Sequence, residues 1–426
     1  MPSPEPTEPR PPEPQAHFQA RKDGSVLTVV HLAQPVDGGV ARVVTDLVRA
    51  QTHAGIRATV LCPAGGELGR AAAAAGADVR HWHAERAPGP NLPWEVAFTA
   101  RAIRRAAPDL VHLHSAKAGL AGRLALRGRL PTVFQPHAWS FEAVTGAAAA
   151  LATRWERHAA RWAHRVLCVS EAERRRAEQA GIVARHAVVR NGVDLDRYPA
   201  ADGVARRQAR AALATAHSLP RRAPLVVCVG RLCPQKGQDL LLRAWPRVLD
   251  RFPTARLALL GDGQDRAALR RAAGAGVLFT GHTDDTLPWY TAADLVVQPS
   301  RWEGMALAPL EAMAVGRPVV LTDVGGARES LPAGSAAHCL VPPEDPSALA
   351  RAITALLEAP DRRRALGRRA REHVRSCHDV RLTAAACLRV YRELLPPGPR
   401  ALPDAVPRPA AGAHPLAEDG GERARR

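Results

Sequence analysis

The sequence predicts an α/β chain built as two doubly wound domains that face each other across a cleft. Three observations carry this expectation. The chain has 426 residues, more than one hydrophobic core of ordinary size accommodates. Short apolar runs alternate with segments of helical period, the pattern of β-α-β units around a parallel sheet. That alternation halts near residue 200 and then starts again.

In the first half, VLTVVHLA (26–33), IRATVLC (56–62), DLVHLHS (109–115), TVFQPH (132–137) and RVLCVS (165–170) read as buried strands. GVARVVTDLVRAQTH (39–53) is helical. NGVDLDRYPAADG (191–203) and an Arg-rich stretch form the join. APLVVCVG (223–230), ARLALLG (255–261), GVLFTG (276–281), ADLVVQPS (293–300) and PVVLTDV (318–324) make the second strand set. The expected domains are therefore 25–200 and 201–377. Residues 1–24 and 396–426 are rich in Pro, Ala, Gly and charge, and such composition cannot offset the entropy of ordering, so both read as disordered tails.

The net charge of +18 sits in the folded body, since 25–200 and 201–395 each carry +9. A positive body favours nucleotide phosphates, lipid head groups or nucleic acid without choosing among them. A nucleic-acid-binding protein is suggested by charge alone, because no aromatic-basic module accompanies it. Seven cysteines without a C-x-x-C pair point to reduced thiols in a cytosol. Cys228 and Cys233 read as small buried residues. The N-terminal MPSPEPTEPRPPEP has neither the cationic nor the apolar region of a secretory signal, and no apolar run is long enough to span a bilayer. The expected location is cytoplasmic, with peripheral attachment to the inner face of the membrane left open.

Ligands of open α/β sheets bind beyond the carboxyl ends of the strands. Gly38, Gly39, His114, His137, Arg231, Lys236 and Glu303 all fall at predicted strand ends. In EGMALAPLE, Glu303 and Glu311 stand eight residues apart. A continuous helix would separate them by about 12 Å, beyond the roughly 5–9.5 Å of paired glycosidase carboxylates. A hydrolytic pair is therefore disfavoured, whereas a nucleotide-sugar is long enough to be held at both ends. Gly304 lets a ligand approach the backbone, and the amides of Met305 and Ala306 would open helix 307–315 toward an anion or sugar. Equally, Glu303 could cap the helix and Glu311 be solvated.

Arg231 and Lys236, in VGRLCPQKGQDLL, would project from a strand-end loop; a diphosphate fits such a pair, as do two idle surface cations. Gly38-Gly39 is neither G-x-G-x-x-G nor a P-loop and by itself reads as a tight turn. GDGQD (261–265) reads likewise. His137 closes a strand, where a histidine is commonly structural. His112 and His114 share one strand face but lack a third ligand for zinc. The DLD at 194–196 has the spacing of a carboxylate pair but lies in the join. RWERHAARWAHRV (154–166) reads as an inward helix face, with an anionic membrane as the competing reading; KAGLAGRLALRGR (117–129) is a second membrane or acceptor candidate.

The ordered set GGVARVV, PDLVHLHSAKAGLAGRLA, QPHAWSF, RVLCVSEAE, VVRNGVDLDRY, VGRLCPQKGQDLLLRA, LLGDG and SRWEGMALAPLEAMAVGRPVVLTDVGGARE resembles the retaining family 4 glycosyltransferases of the GT-B fold, over about residues 25–395. EGMALAPLE matches that family's E-x7-E motif. The resemblance implies two Rossmann-like domains and hexosyl transfer from a nucleotide-diphosphate sugar, with no metal and no cofactor. It implies that Arg231 and Lys236 stabilise the departing diphosphate. Glu311 would hold ribose hydroxyls and Glu303 the donor sugar, assisted by the backbone of Gly304, Met305 and Ala306. Gly39 matches the glycine turn near phosphate and acceptor, and His137 the histidine beside the transferred sugar. Retention is commonly explained by front-face attack aided by the leaving phosphate.

Met305 and Ala306 replace the family's frequent Phe-Gly, which alters the sugar pocket. The family's last helix crosses back to the first domain, which assigns 378–395 there. HSAKAG and the basic first domain look like enzymes of cell-surface polysaccharide or glycolipid synthesis that use lipid-linked acceptors, with Lys117 as the motivating residue. A nucleotide-sugar epimerase or a phosphorylase of similar architecture is the alternative enzyme.

Overall fold

The computed structural model describes residues 26–395; the predicted tails at 1–24 and 396–426 lie outside the described residues. Two all-parallel sheets organise the chain. The first contains β1 (Thr28–Ala33), β2 (Arg57–Cys62), β3 (Asp78–His81), β4 (Leu110–His114), β5 (Thr132–Gln135), β6 (Arg165–Cys168) and β7 (His186–Val188), in the spatial order β3-β2-β1-β4-β5-β6-β7. The second contains β8 (Leu225–Val229), β9 (Arg256–Leu260), β10 (Val277–Gly281), β11 (Leu295–Gln298), β12 (Val319–Thr322) and β13 (Leu340–Val341), ordered β10-β9-β8-β11-β12-β13.

The ten strands read from apolar runs are present, each trimmed by one to four residues. β3, β7 and β13 were not expected. They are short edge strands of mixed or partial burial, and a strand buried on fewer sides needs no continuous apolar run. Helix Gly39–His53 has the predicted bounds, and helix Leu307–Ala314 stops one residue before its predicted end.

In each sheet the strand order reverses once, between β1 and β4 and between β8 and β11. Those reversals open the crevice where such sheets take ligands. Central strands are buried on both faces, and their alternating side chains enter two separate layers. Val30, Leu32, Val111 and Leu113 share one core cluster, while Val29 and Leu110 belong to the other layer.

The join does more than connect. Val193 forms a parallel bridge with Asp379, and its amide donates to the His378 carbonyl at 2.8 Å. Helix Val380–Leu394 follows and packs against helix Gly39–His53. A chain segment from beyond the second sheet thus lies on the first.

Candidate functional site

The reversal in the second sheet gathers most of the charged candidates. Arg231 follows β8, and the 3-10 turn Pro234–Lys236 places Lys236 beside Glu303, which follows β11. Gly237, at φ 65°, makes this turn possible: a Cβ there would lie 2.0 Å from the Pro299 carbonyl oxygen, a position open only to glycine. Lys236 Nζ ion-pairs with Glu303 Oε1, which also accepts from Ser300 Oγ at 2.7 Å. The pair is only partly buried, with 18% and 10% of the two side chains exposed. Arg231 has a long bond to Gln235 Oε1 at 3.4 Å, and its buried Nε has no partner.

Glu311 occupies different surroundings. It lies inside helix Leu307–Ala314 and accepts from the Tyr290 hydroxyl at 2.9 Å. Burial raises its carboxyl above the ordinary range, opposed by the Tyr290 hydrogen bond and by the charge of Arg42 from the first domain. The two acids of EGMALAPLE therefore have separate partner sets, one cationic and one phenolic.

From the first domain, Gly38 has φ 79° and precedes helix Gly39–His53, which has no side-chain cap and no acid in its first turn. Its amides are orphaned by helix geometry and carry the positive end of the dipole. A Cβ on exposed Gly39 would sit 3.9 Å from Leu307 of the second domain, without a clash. His137 and Ala138 follow β5 with φ of 61° and 150°, a strained pair of the kind found at functional sites.

The two domains meet closely around Gly304. A Cβ there would lie 2.8 Å from the His137 carbonyl oxygen and 2.7 Å from Val169 Cγ2. The missing side chain, expected to admit a ligand, admits the opposite domain. Ser170 Oγ donates to the Gly304 carbonyl at 3.2 Å, and Asn191 Nδ2 to the Met305 carbonyl at 2.7 Å. Glu329 of the second domain accepts from the amides of Glu171 and Ala172 at 2.9 and 2.8 Å, at the N-terminus of helix Glu171–Gln179.

Several sequence candidates change meaning. Lys117 is not a surface cation: it is buried, paired with Glu95 at 2.7 Å, and donates to the Ala87 carbonyl at 3.0 Å. Arg123, in the same basic stretch, is buried against Glu156 at 2.8 Å. Helix Ser115–Leu126 turns these cations inward because carboxylates on neighbouring helices await them. His112 and His114 do have a third histidine neighbour, His31 on β1, since register sets His31 beside His112. Asp194 closes a local turn, accepting from the amides of Asp196 and Arg197. Trp155 and Trp162 are half-buried and stand 6.1 Å apart. All seven cysteines are free, and Cys228 and Cys233 are buried.

One residue escaped the sequence reading. Arg86 lies exposed in the loop after β3, and its cation is disfavoured first by partial desolvation and then by the charge of Arg231. No carboxylate pairs with it among the described residues. The loop is held by Lys117 at Ala87 and by the Glu85 amide donating to Glu95 Oε1 at 3.2 Å. In a chain dense with arginine, one more loop arginine carries no signal; only the fold brings it to Arg231. Two guanidiniums within electrostatic reach of each other are an arrangement that an anion would relieve.

Two family models match the chain, Glycosyltransferase Family 4 over residues 37–197 and Glycosyl transferases group 1 over residues 223–359. The D-inositol 3-phosphate glycosyltransferase 2 of Catenulispora acidiphila is 33% identical over 71% of this chain and 76% of its own length. The lipopolysaccharide core biosynthesis mannosyltransferase LpcC of Rhizobium leguminosarum is 34% identical over 49% of this chain and 60% of its length. Among solved structures, Anabaena HepE in complex with UDP and glucose superimposes with a TM-score of 0.74 at 23% identity, covering 86% of this chain and 100% of that one. Sucrose-phosphate synthase of Thermosynechococcus elongatus gives 0.72 at 24%, covering 86% and 99%. Two parallel sheets opposed at their reversal points agree with these neighbours, and the sequence relatives give the class of chemistry. The chain belongs to glycosyltransferase family 4 and is a glycosyltransferase of the GT-B type.

Proposed function

We propose that the chain moves a sugar from a nucleotide-diphosphate donor to an acceptor hydroxyl with retention of anomeric configuration. The observation that carries this reading is the convergence of Arg231, Lys236 and Glu303 at one sheet reversal, opposite the open helix N-terminus at Gly39 and the strained His137 at the other. The diphosphate takes Arg231 and Lys236, whose charges offset the negative charge that develops on the leaving nucleotide. Lys236 exchanges Glu303 for phosphate oxygens, and the released carboxylate turns to the sugar hydroxyls together with the backbone of Gly304, Met305 and Ala306. Glu311, inside its helix, holds the ribose. The anomeric carbon–oxygen bond to phosphate breaks as the acceptor oxygen bonds to the same face, and the acceptor's proton passes to the departing phosphate. The reaction so written calls on no metal.

A nucleotide-sugar panel screened by thermal shift identifies the donor, because a ligand specific for the folded state raises its melting temperature by mass action. Transfer is then followed by NMR of the anomeric proton. An inverted product ends the retaining reading. Turnover with inorganic phosphate but no nucleotide identifies a phosphorylase, and interconversion of a nucleotide-sugar without acceptor identifies an epimerase.

For the acceptor, we propose a lipid-linked saccharide or glycolipid in cell-surface synthesis at the inner face of the membrane. Relatives named for lipopolysaccharide core and phosphatidylinositol mannoside synthesis support it. Among the described residues no helix is long and apolar enough to cross a membrane. Because Lys117 is buried, membrane contact would have to use other residues. Equal activity on lipid-free and lipid-linked acceptors, with no retention on anionic vesicles, would dismiss this part.

A further inference from the structure

The first sheet carries a polar path that the reading above leaves unused. His31 on β1 and His112 and His114 on β4 lie on one sheet face, and all three are fully buried. From the interior outward, Gln51 Oε1 lies 2.8 Å from His31 Nε2, His31 Nδ1 lies 3.0 Å from His114 Nε2, and His114 Nδ1 lies 3.2 Å from His137 Nε2. Of the four rings only His137 retains exposure. The path therefore runs from the core to the cleft, stepping across β1, β4 and the segment after β5.

A neutral imidazole has one N–H and one bare nitrogen, so each link of such a chain dictates the next. The carboxamide oxygen of Gln51 accepts, which puts the His31 proton on Nε2. His31 Nδ1 then accepts from His114 Nε2–H, and His114 Nδ1 accepts from His137 Nε2–H. This leaves Nδ1 of His137 bare. The other half of the carboxamide faces the Tyr391 hydroxyl at 3.5 Å, and that hydroxyl lies 2.6 Å from His112 Nδ1. A carboxamide turned half round would reverse every link. Burial holds His31 at about 4 and His137 at about 3, with His112 and His114 also well below the ordinary value of 6.5, so the rings are neutral and their tautomers are the only variable.

We propose that Gln51, acting through His31 and His114, is a positioning residue that fixes His137 as the Nε2–H tautomer and so presents Nδ1 as an acceptor to a hydroxyl of the bound sugar. The functional half rests on the sugar-transfer reading; the tautomer itself does not. Nitrogens of His31, His112 and His114 lie within 4.8 Å of one another, close enough to suggest a metal. However, His31 Nδ1 and His114 Nε2 already bond to each other, and an ion would have to break the path.

The test uses the full chain labelled with 15N-histidine, without ligand, and long-range 1H–15N correlation, with His137 assigned from its loss in His137→Asn. The wild type is expected to show His137 as a single neutral Nε2–H form. Gln51→Met and Tyr391→Phe each remove part of the lock, and both tautomers of His137 then become populated. With the nucleotide-sugar found by thermal shift, Gln51→Met lowers kcat about tenfold with little change in KM, as expected for one hydrogen bond made in the transition state. An Nδ1–H form of His137 in the wild type overturns the proposal, as does a tautomer unmoved in both variants, or one stoichiometric metal ion bound by the purified chain. A shifted tautomer with unchanged kcat overturns its functional half. No transfer with any donor would count against the sugar-transfer reading while the tautomer result still decides the path.

Discussion

The two sheet ends that face each other are built on opposite electrostatic principles. At the second sheet, Lys236 and Glu303 neutralise one another, Arg231 keeps a bare Nε, and Glu311 is a buried acid bonded to a phenol. At the first, a row of neutral imidazoles passes hydrogen bonds from Gln51 to His137 without a formal charge. An incoming ligand therefore meets one side that must rearrange and one that need not. An ion pair part-way exposed can trade partners when an anion arrives, whereas a buried neutral chain has no partner to trade and is preformed. The charged side suits leaving-group stabilisation and the neutral side suits recognition of hydroxyls.

The largest loss should come from removing charge on the second side. Arg231→Ala and Lys236→Ala should each slow transfer by about 10²–10³-fold, the usual loss for a donor aimed at developing negative charge. Steady-state kinetics should show the loss chiefly in kcat; unchanged kinetics in both would dissolve the assignment. Glu311→Gln should follow, weakening nucleotide-donor affinity by about ten- to a hundredfold, the scale of a hydrogen bond to a charged group, as read by calorimetry with the donor.

Acidity should next divide the buried groups in and beside the first domain. Burial depresses His31 and His378 to about 4 and His137 to about 3, from an ordinary 6.5. Between those values the folded chain binds fewer protons than the unfolded one. The stability these rings contribute is complete above pH 6.5 and is lost as pH falls toward 4. Glu173, raised to about 8 first by burial, acts in the other direction: the folded chain holds a proton that the unfolded chain releases near 4.5, so its contribution is lost as pH rises toward 8. In melting curves across pH, Glu173→Gln should therefore gain on the wild type between pH 4.5 and 8. A constant difference would contradict the buried, protonated state of Glu173.

A methyl group at the first domain's turn should do least. Gly39→Ala has room in the structure, 3.9 Å from Leu307, so its melting temperature should match the wild type. If phosphate or acceptor approaches that helix start, the methyl group should weaken donor or acceptor binding by a few-fold, about 1 kcal/mol. Undisturbed binding would move the ligand away from the first domain's turn.

Much of this was legible before any coordinates. Apolar runs located the nine central strands because parallel strands buried on both faces must be continuously apolar; the tenth, β10, lies at an edge with intermediate burial and was found only because its VLF run is apolar all the same. The edge strands β3, β7 and β13 escaped because partial burial imposes no such pattern. EGMALAPLE marked both acids, since a helix start beside a glycine leaves a local signature. Arg86 left none. Lys117 misled, because a cation's sign is written in the sequence but its partner, Glu95 on another helix, is not.

By itself, the sequence determined the layered α/β class, the two strand sets, and the family whose motifs lie at strand ends, because these depend on local periodicity and short spacings. It took the tertiary structure to bring His31 to His112 and His114, Arg86 within electrostatic reach of Arg231, and the opposite domain against Gly304. Those encounters are set by strand register and by the docking of one sheet against the other. Such contacts join residues far apart in the chain, and no local pattern records which of many like residues will meet.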